Sequence, residues 1–274
     1  MFEIRLPFIL TLCNTIAGMQ CALTADTSSA VQGGFAFEMI MNKLQILEDR
    51  SIRNEEPMVK RSCNGVPFSG IYNIQPVKTF KEPIRVVCEQ DIEWGGWIVI
   101  QYRFNGSTNF ERSWQDYKNG FGNLDGEFWL GLDRIHRLTA SRPHELVMLL
   151  EDFDGNRTYA KYDQFEIGNE KEKYVLKKLG NYSGTAGDSF SRSKGMKFST
   201  FDSDNDIWVN NCAATYSGGW WFRNCHFSHL NGKYLRGSTE VLSTGMVWSS
   251  FKGQQYSLKT TKIMIKRSRS LNYW

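Results

Sequence analysis

Apolar side chains fall in short, separated runs along this chain, and most of the runs have the period of a strand. Gly95-Gly-Trp-Ile-Val-Ile-Gln-Tyr-Arg-Phe104 is rich in β-branched and aromatic residues and stops at Asn105-Gly106, a turn pair. Glu145-Leu-Val-Met-Leu-Leu-Glu-Asp-Phe153 predicts a second strand, closed by Asp154-Gly155. Tyr159-Ala-Lys-Tyr-Asp-Gln-Phe-Glu-Ile167 alternates as a third, and Tyr256 to Ile265 supplies a late one. Between the first two, Gly131-Leu-Asp-Arg-Ile-His-Arg-Leu138 has helical spacing. Gly, Asn and Ser dominate from 180 to 250, which predicts loops held by side-chain chemistry. The class is α+β, with one domain over 60–268 and a short tail over 269–274. Ahead of it, Phe37, Ile40, Leu44 and Leu47 place an apolar stripe on a helix of about two heptads. Isolated helices this short are marginal, so it is either a weak homo-oligomerisation helix or a segment packed on the domain. Residues 26–36 read as a linker, so that linker and helical segment together occupy 26–59.

The first residues change the picture. Arg5 followed by the apolar Leu6-Pro-Phe-Ile-Leu-Thr-Leu-Cys13 reads as a secretory signal peptide over about 1–25. No later apolar run is long enough to span a membrane. The mature protein is therefore expected to be secreted and extracellular. Of six cysteines, Cys13 goes with the leader, and Cys21 does so unless cleavage spares it as an interchain link. Cys63, Cys88, Cys212 and Cys225 remain, and the short-range pairs Cys63–Cys88 and Cys212–Cys225 are the natural disulfides. Each would constrain the unfolded state by roughly 3 to 3.5 kcal/mol. A zinc site competes for the same cysteines, but no CxxC or paired-histidine spacing supports it. Sequons at Asn105, Asn156 and Asn181 suit glycosylation of an exposed surface. The net charge of +4 does not point to nucleic acid. Lys262, Lys266, Arg267 and Arg269 gather near the C-terminus as a solvated strand end, with a heparin-like polyanion as the alternative.

The densest chemistry is Phe198-Ser-Thr-Phe-Asp-Ser-Asp-Asn-Asp-Ile-Trp-Val-Asn-Asn-Cys212, followed by Cys225-His226. Asp202, Asp204 and Asp206 stand at every second position, and carboxylates that close repel unless a hard cation intervenes. Calcium takes about six to eight oxygens, so a short acidic loop can supply half of its shell. The loop is not an EF-hand, because Ile207 and Ala213 stand where that motif requires Gly and Glu. A solvated acidic turn is the alternative.

Five ordered motifs then identify a family. They are Gly95-Gly-Trp-Ile-Val-Ile-Gln, Gly120-Phe-Gly-Asn-Leu-Asp-Gly-Glu-Phe-Trp-Leu-Gly131, Tyr182-Ser-Gly-Thr-Ala-Gly-Asp-Ser189, Gly218-Gly-Trp-Trp-Phe-Arg-Asn-Cys-His226 and Leu230-Asn-Gly-Lys-Tyr-Leu-Arg-Gly237. Together they resemble the fibrinogen C-terminal (fibrinogen-related) domain of ficolins, tachylectins, angiopoietins and the fibrinogen chains, over roughly Ser62 to Arg267. The resemblance implies a disulfide-linked N-terminal part, a central twisted antiparallel sheet flanked by helices, and a loop-rich C-terminal part carrying calcium and a ligand pocket. It implies Ca2+ on the side chains of Asp204 and Asp206 and the carbonyls of Trp208 and Asn210, with Asp202 behind them. Many relatives have Gly where Asn210 stands. Affinity in the roughly 10⁻⁴ to 10⁻³ M range of extracellular modules is expected.

In acetyl-binding relatives, backbone N–H groups around the second cysteine of the short disulfide hold the acetyl oxygen, aromatic walls take the methyl group, and a cis peptide precedes that cysteine. The matching residues here are Asn224, Cys225 and His226, with Tyr216 beside them and Trp220-Trp221 in the core beneath. Leu242 stands where those lectins usually have Tyr, Ser243 where Ala is common, and Gln254 where another aromatic is expected. Leu242 removes a stacking wall, and Gln254 is expected to leave the rim wetter. The resemblance implies a lectin for acetylated glycans in innate-immune recognition, or instead a ligand for a protein receptor, since fibrinogen's own pocket takes a peptide amine. An enzyme is not expected. Gly187-Asp188-Ser189 superficially resembles a hydrolase nucleophile motif, but no Ser/His/Asp layout accompanies it.

Overall fold

The computed structural model describes residues 59–76 and 81–268, together with Met41, which is helical. The expected leader, the linker, the rest of the 37–47 helix and the 269–274 tail lie outside the described residues. The strands are β1 (Gly70–Ile74), β2 (Ile84–Glu89), β3 (Trp97–Arg103), β4 (Phe121–Gly122), β5 (Phe128–Trp129), β6 (His144–Glu151), β7 (Arg157–Ile167), β8 (Leu176–Leu179) and β9 (Tyr182–Gly184). They are followed by β10 (Ser228–His229), β11 (Gly237–Ser238), β12 (Val247–Trp248), β13 (Tyr256–Ser257) and β14 (Thr260–Arg267).

The main sheet is antiparallel, in the order β1-β2-β3-β14-β6-β7-β8, and β9 pairs with the other half of the long β7. β2 and β5 share one edge of β3. The last strand lies at the centre: β14 pairs with β3 on one side and along its whole length with β6 on the other, from Thr260↔Glu151 to Arg267↔His144. The strands expected around 95–104, 145–153 and 159–167 are β3, β6 and β7. The late strand expected over Tyr256–Ile265 is two pieces. Tyr256–Ser257 pairs with β11, Leu258 N–H donates to the Met246 carbonyl, and the polypeptide enters the central sheet only at Thr260.

The expected helix spans Leu132–Ser141 and buries Leu132, Ile135, Leu138 and Thr139 on one face. His136 on this helix donates through Nδ1 to the Ile167 carbonyl of β7 at 2.9 Å. A second helix, Trp114–Asn119, was not legible in the hydrophobic pattern. Its signal is local: Ser113 and Asp116 form a reciprocal capping box.

Both disulfides have the short-range pairing, Cys63–Cys88 and Cys212–Cys225. Cys63–Cys88 ties the N-terminal turn to β2. The aromatic residues form the core. Trp97, Trp129, Trp220, Trp221 and Trp248 are fully buried, and Trp129, Trp220 and Trp221 cluster with Phe198, Phe190 and Tyr117. Three of the indole N–H groups are used: those of Trp129, Trp221 and Trp248 donate to the carbonyls of Tyr117, Tyr174 and Gly187 at 3.0, 2.8 and 2.9 Å.

β3 carries polar residues into this core. Gln101 and Arg103 are 0% and 1% exposed. Gln101 Nε2 donates to the Leu230 carbonyl at 2.8 Å, and Thr261 Oγ1 of β14 donates to Gln101 Oε1 at 3.0 Å. Arg103 Nη1 donates to the Gly232 carbonyl at 2.9 Å and stacks its guanidinium on Phe110. Glu127, equally buried, accepts from the backbone N–H groups of Phe104, Asn105 and Gly106 on one oxygen and Thr108 on the other. Burial works to raise the Glu127 pKa, but the four N–H donors outweigh it and hold the carboxyl below its ordinary value.

Glu127→Gln is therefore expected to lower unfolding free energy by about 3 to 5 kcal/mol, because it strips a buried carboxylate from four donors and from neighbouring Arg103. Denaturant unfolding of the variant beside wild type checks this; a loss under about 1 kcal/mol would contradict it.

Candidate functional site

The Gly/Asn/Ser-rich half of the molecule has little regular structure, so its loops are placed by hydrogen bonds and by Cys212–Cys225. Asn231 is the link to the sheet. Its amide accepts from Gln101 at 3.2 Å and donates to the Gly219 carbonyl at 2.9 Å. Gly218 sits at φ +79°, and an added Cβ would lie 2.2 Å from the Asn231 carbonyl oxygen, so only glycine fits this turn. Trp220 and Trp221 follow and enter the core. The backbone then returns to the surface at Arg223, whose N–H donates to the Cys225 carbonyl at 2.7 Å across a cis Asn224–Cys225 peptide.

His226 is the centre of the cluster. The Tyr216 ring, at the end of the helix Cys212–Tyr216, meets it edge-on at 5.1 Å and 89°. Phe222 lies 5.5 Å away and His229 5.1 Å away. The neighbour of His226 across the pocket is the Ser243 carbonyl, 3.1 Å from Nε2. Because a carbonyl only accepts, Nε2 carries the proton and Nδ1 is the bare nitrogen of a neutral ring. Burial pushes the His226 pKa down to about 4, against the opposing pull of the Ser243 carbonyl. His229 is fully buried beneath, its Nε2 2.5 Å from the Ser217 carbonyl, and burial and the neighbouring His226 hold it well below the ordinary histidine value.

Ser243 is buried and Leu242 is 52% exposed. The expectation that Gln254 leaves a wetter rim is corrected. Its side chain is half-buried and braces the site, accepting from Ser243 Oγ at 3.2 Å and donating to the His226 carbonyl at 3.4 Å, while Ser243 N–H donates to the Gln254 carbonyl. The structure thus brings Tyr216, Asn224, Cys225, His226, Leu242 and Ser243 into one neighbourhood, with Gln254 and His229 beside them and Phe222 as the residue that sequence reasoning left outside it. Phe222 could have been suspected from the Trp-Trp-Phe run. Nothing in the sequence marks Gln254 as a brace. Among the described residues, the backbone N–H groups of Cys225 and His226 donate to no acceptor.

The acidic loop approaches this site through Cys212 and through Ile207 N–H, which donates to the Arg223 carbonyl at 3.2 Å. Asp202 has a job of its own. Its carboxylate accepts from Trp114 N–H at 2.9 Å and from Thr200 Oγ1 at 2.7 Å, so it anchors the loop to the helix Trp114–Asn119. Asp206 accepts from Trp208 N–H at 2.8 Å and Cys212 N–H at 2.9 Å, and Asp204 accepts from Asp206 N–H. Burial, and after its hydrogen bonds the charge of Asp204, raise the Asp206 carboxyl above its ordinary value. Among the described residues no three His, Cys, Asp or Glu side chains converge as a metal cage, no basic side chain pairs with Asp204 or Asp206, and the carbonyls of Trp208 and Asn210 accept no hydrogen bond.

The hydrolase-like Gly187-Asp188-Ser189 is a structural turn. Asp188 accepts from the Tyr162 hydroxyl at 2.7 Å and from two backbone N–H groups, and Ser189 is buried against Ser250 Oγ at 2.7 Å. Asn105, Asn156 and Asn181 are all exposed.

The family model for the C-terminal globular domain of the fibrinogen beta and gamma chains matches residues 58–268. The protein is 48% identical over 211 residues to the human microfibril-associated glycoprotein 4, covering 75% of this chain and 82% of that protein. It is 46% identical to the Macaca fascicularis fibrinogen C domain-containing protein 1, covering 75% of this chain and 48% of that longer protein. Among solved structures, the fibrinogen-like globe domain of human ANGPTL2 superposes with a TM-score of 0.73 at 41% identity, covering 76% of this chain and 99% of that one. Lamprey fibrin D-dimer, solved with the peptide Gly-His-Arg-Pro-amide, gives 0.71 at 31% identity, and the match covers 88% of each.

The buried histidines set the acid behaviour. His226, His229 and also His144, which burial and then Arg267 hold low, bind fewer protons folded than unfolded. Stability is therefore complete at neutral pH and falls as pH drops below about 6.5, by about 1.4 kcal/mol per pH unit for each histidine still refusing its proton. Denaturation midpoints between neutrality and about pH 4.5 test this. His226→Phe should flatten the slope by about one proton, and an unchanged slope would contradict the assignment.

Proposed function

The chain belongs to the family of fibrinogen C-terminal globular domains, binding proteins rather than enzymes, and from that premise we propose that it is an extracellular, calcium-stabilised lectin that captures acetyl groups of glycans. The observation that carries the reading is the pair of unengaged N–H groups at Cys225 and His226, placed beside an aromatic corner. An acetamide presents a carbonyl oxygen and a methyl group to such a site. The two N–H groups donate to the oxygen, while the Tyr216 and His226 rings and Leu242 cover the methyl, so both halves are satisfied together. His226 serves as a neutral wall, because the Ser243 carbonyl holds its ring, Gln254 braces its backbone carbonyl and burial keeps it unprotonated. By analogy with lectins of this family, the proposed role is innate-immune recognition of acetylated surfaces. Single contacts of this kind are weak, and multivalent display would multiply them. No helix among the described residues is long and apolar enough to cross a membrane.

The residues present fit a calcium ion. Asp204 and Asp206 are paired carboxylates with no cationic partner among the described residues, and both oxygens of Asp206 keep a lone pair after accepting from the backbone. With the Trp208 and Asn210 carbonyls they would supply hard oxygen ligands. Bound calcium would relieve their repulsion and pin the loop leading into Cys212.

A second reading, recognition of a protein, is favoured by the apolar rim. Phe227, Val241 and Leu242 are 43%, 56% and 52% exposed around the site, and the related lamprey fibrin is a peptide binder in its solved complex.

On acetylated resin in millimolar calcium, the secreted protein is expected to be retained and to elute with free acetate or N-acetylglucosamine. Leu242→Tyr should tighten retention about two- to tenfold, the worth of one aromatic contact. Passage of the folded wild-type protein straight through would defeat the acetyl reading in favour of a protein partner. Separately, about 10 mM calcium should add about 1.4 to 2.7 kcal/mol to unfolding free energy, and Asp206→Asn should abolish that increment. A thermal melt that calcium leaves unmoved would rule the ion out.

A further inference from the structure

Away from the acidic loop, the protein forms a cleft of about 660 Å³ where three elements end together. Arg61 lies just before Cys63, Arg142 follows the helix Leu132–Ser141, and Arg267 closes β14. All three are exposed and line the cleft together with Lys60, and among the described residues no Asp or Glu lines it. Several basic side chains elsewhere are neutralised by acidic neighbours: Lys161 by Glu145, Lys252 by Asp152, Lys259 by Glu151 and Lys262 by Glu89. Arg61, Arg142 and Arg267 enter no ion pair among the described residues. His144 is buried between two of them, bonded to the Arg142 carbonyl at 2.8 Å and registered opposite Arg267. Burial and the Arg267 charge keep it from adding a proton of its own.

We propose that this cleft binds the sulfate groups of an extracellular polysaccharide. Three guanidinium forks converging on a concave surface raise its positive potential and suit a sulfate's paired oxygens better than ammonium groups would. The volume lies in the range that holds extended ligands of several rings, well beyond a lone inorganic anion. Asn64 and Ser62 line the same cleft and supply polar groups for sugar hydroxyls. The rim position of the arginines fits a hydrophilic polymer that stays partly in water. The site shares no residue with the proposed acetyl pocket, so one protein could hold a matrix polysaccharide and an acetylated glycan at once.

The test is retention of the full secreted protein on immobilised heparin and on the same polymer desulfated, eluted by a salt gradient. Wild type should bind only the sulfated column. Arg61→Ser/Arg142→Ser/Arg267→Ser should elute at no more than half the wild-type salt concentration, whereas Lys194→Ser/Lys197→Ser/Lys233→Ser, equal in charge change and drawn from exposed positions elsewhere, should elute near wild type. Acetylated-resin binding and a thermal melt run in parallel separate a failure of this site from a failure of the lectin reading or of folding. Should the triple variant melt early, Arg61→Gln, Arg142→Gln and Arg267→Gln made singly carry the same comparison. Equal retention on the desulfated polymer, equal losses in the two triple variants, an unchanged arginine triple, or binding to phosphatidylserine vesicles without binding to heparin would each overturn the proposal.

Discussion

A short relay of buried hydrogen bonds holds the two halves of this molecule in register. Thr261 donates to Gln101, Gln101 donates to Leu230 and Asn231, and Asn231 donates to Gly219. Arg103 adds a parallel bond to Gly232. Hydrophobic contact alone is non-directional and could not fix a loop half with so little regular structure. Buried amides can, because each one displaced by an ångström would leave an unsatisfied polar group at a cost of roughly 1 to 3 kcal/mol. The candidate site therefore rests on the central strands of the sheet, although none of its residues belongs to them.

The same logic runs outward to the surface. Asn231 sets the Gly218-Gly219 turn, the turn sends Trp220 and Trp221 into the core, and the disulfide returns the backbone beside the acidic loop. Gln254 then ties the His226 carbonyl to the Ser243 hydroxyl. A recognition site for so small a group as an acetyl depends on such bracing, since placing two N–H donors to within a few tenths of an ångström is what distinguishes an acetamide from water.

Placing β14 at the centre of the sheet has a folding consequence. The central pairings of β3 with β14 and of β6 with β14 join residues far apart in sequence, so loop closure must be completed before those contacts stabilise the sheet. The Cys63–Cys88 link shortens the search at the other end by tying the first turn to β2.

Much of the fold was legible in the residues. The runs at 95–104, 145–153 and 159–167 are strands, the 131–138 spacing is a helix, and the cysteine pairing follows from proximity along the sequence, because each of these depends on near neighbours. The acidic spacing and the family motifs also pointed to the residues around Cys225 without coordinates. What the sequence could not carry was whatever depends on distant partners. The split of Tyr256–Ile265 follows from two different strand partners, and Asp202 turned out to cap a helix almost ninety positions earlier, at Trp114. Gln254 changed from a hydrated rim residue to a brace because the two groups it joins lie 11 and 28 positions away. The cleft at Arg61, Arg142 and Arg267 exists only because three separate segments meet. Local period and composition determine which elements form, whereas hydrogen bonds and charges that close across long separations decide what those elements present to a ligand.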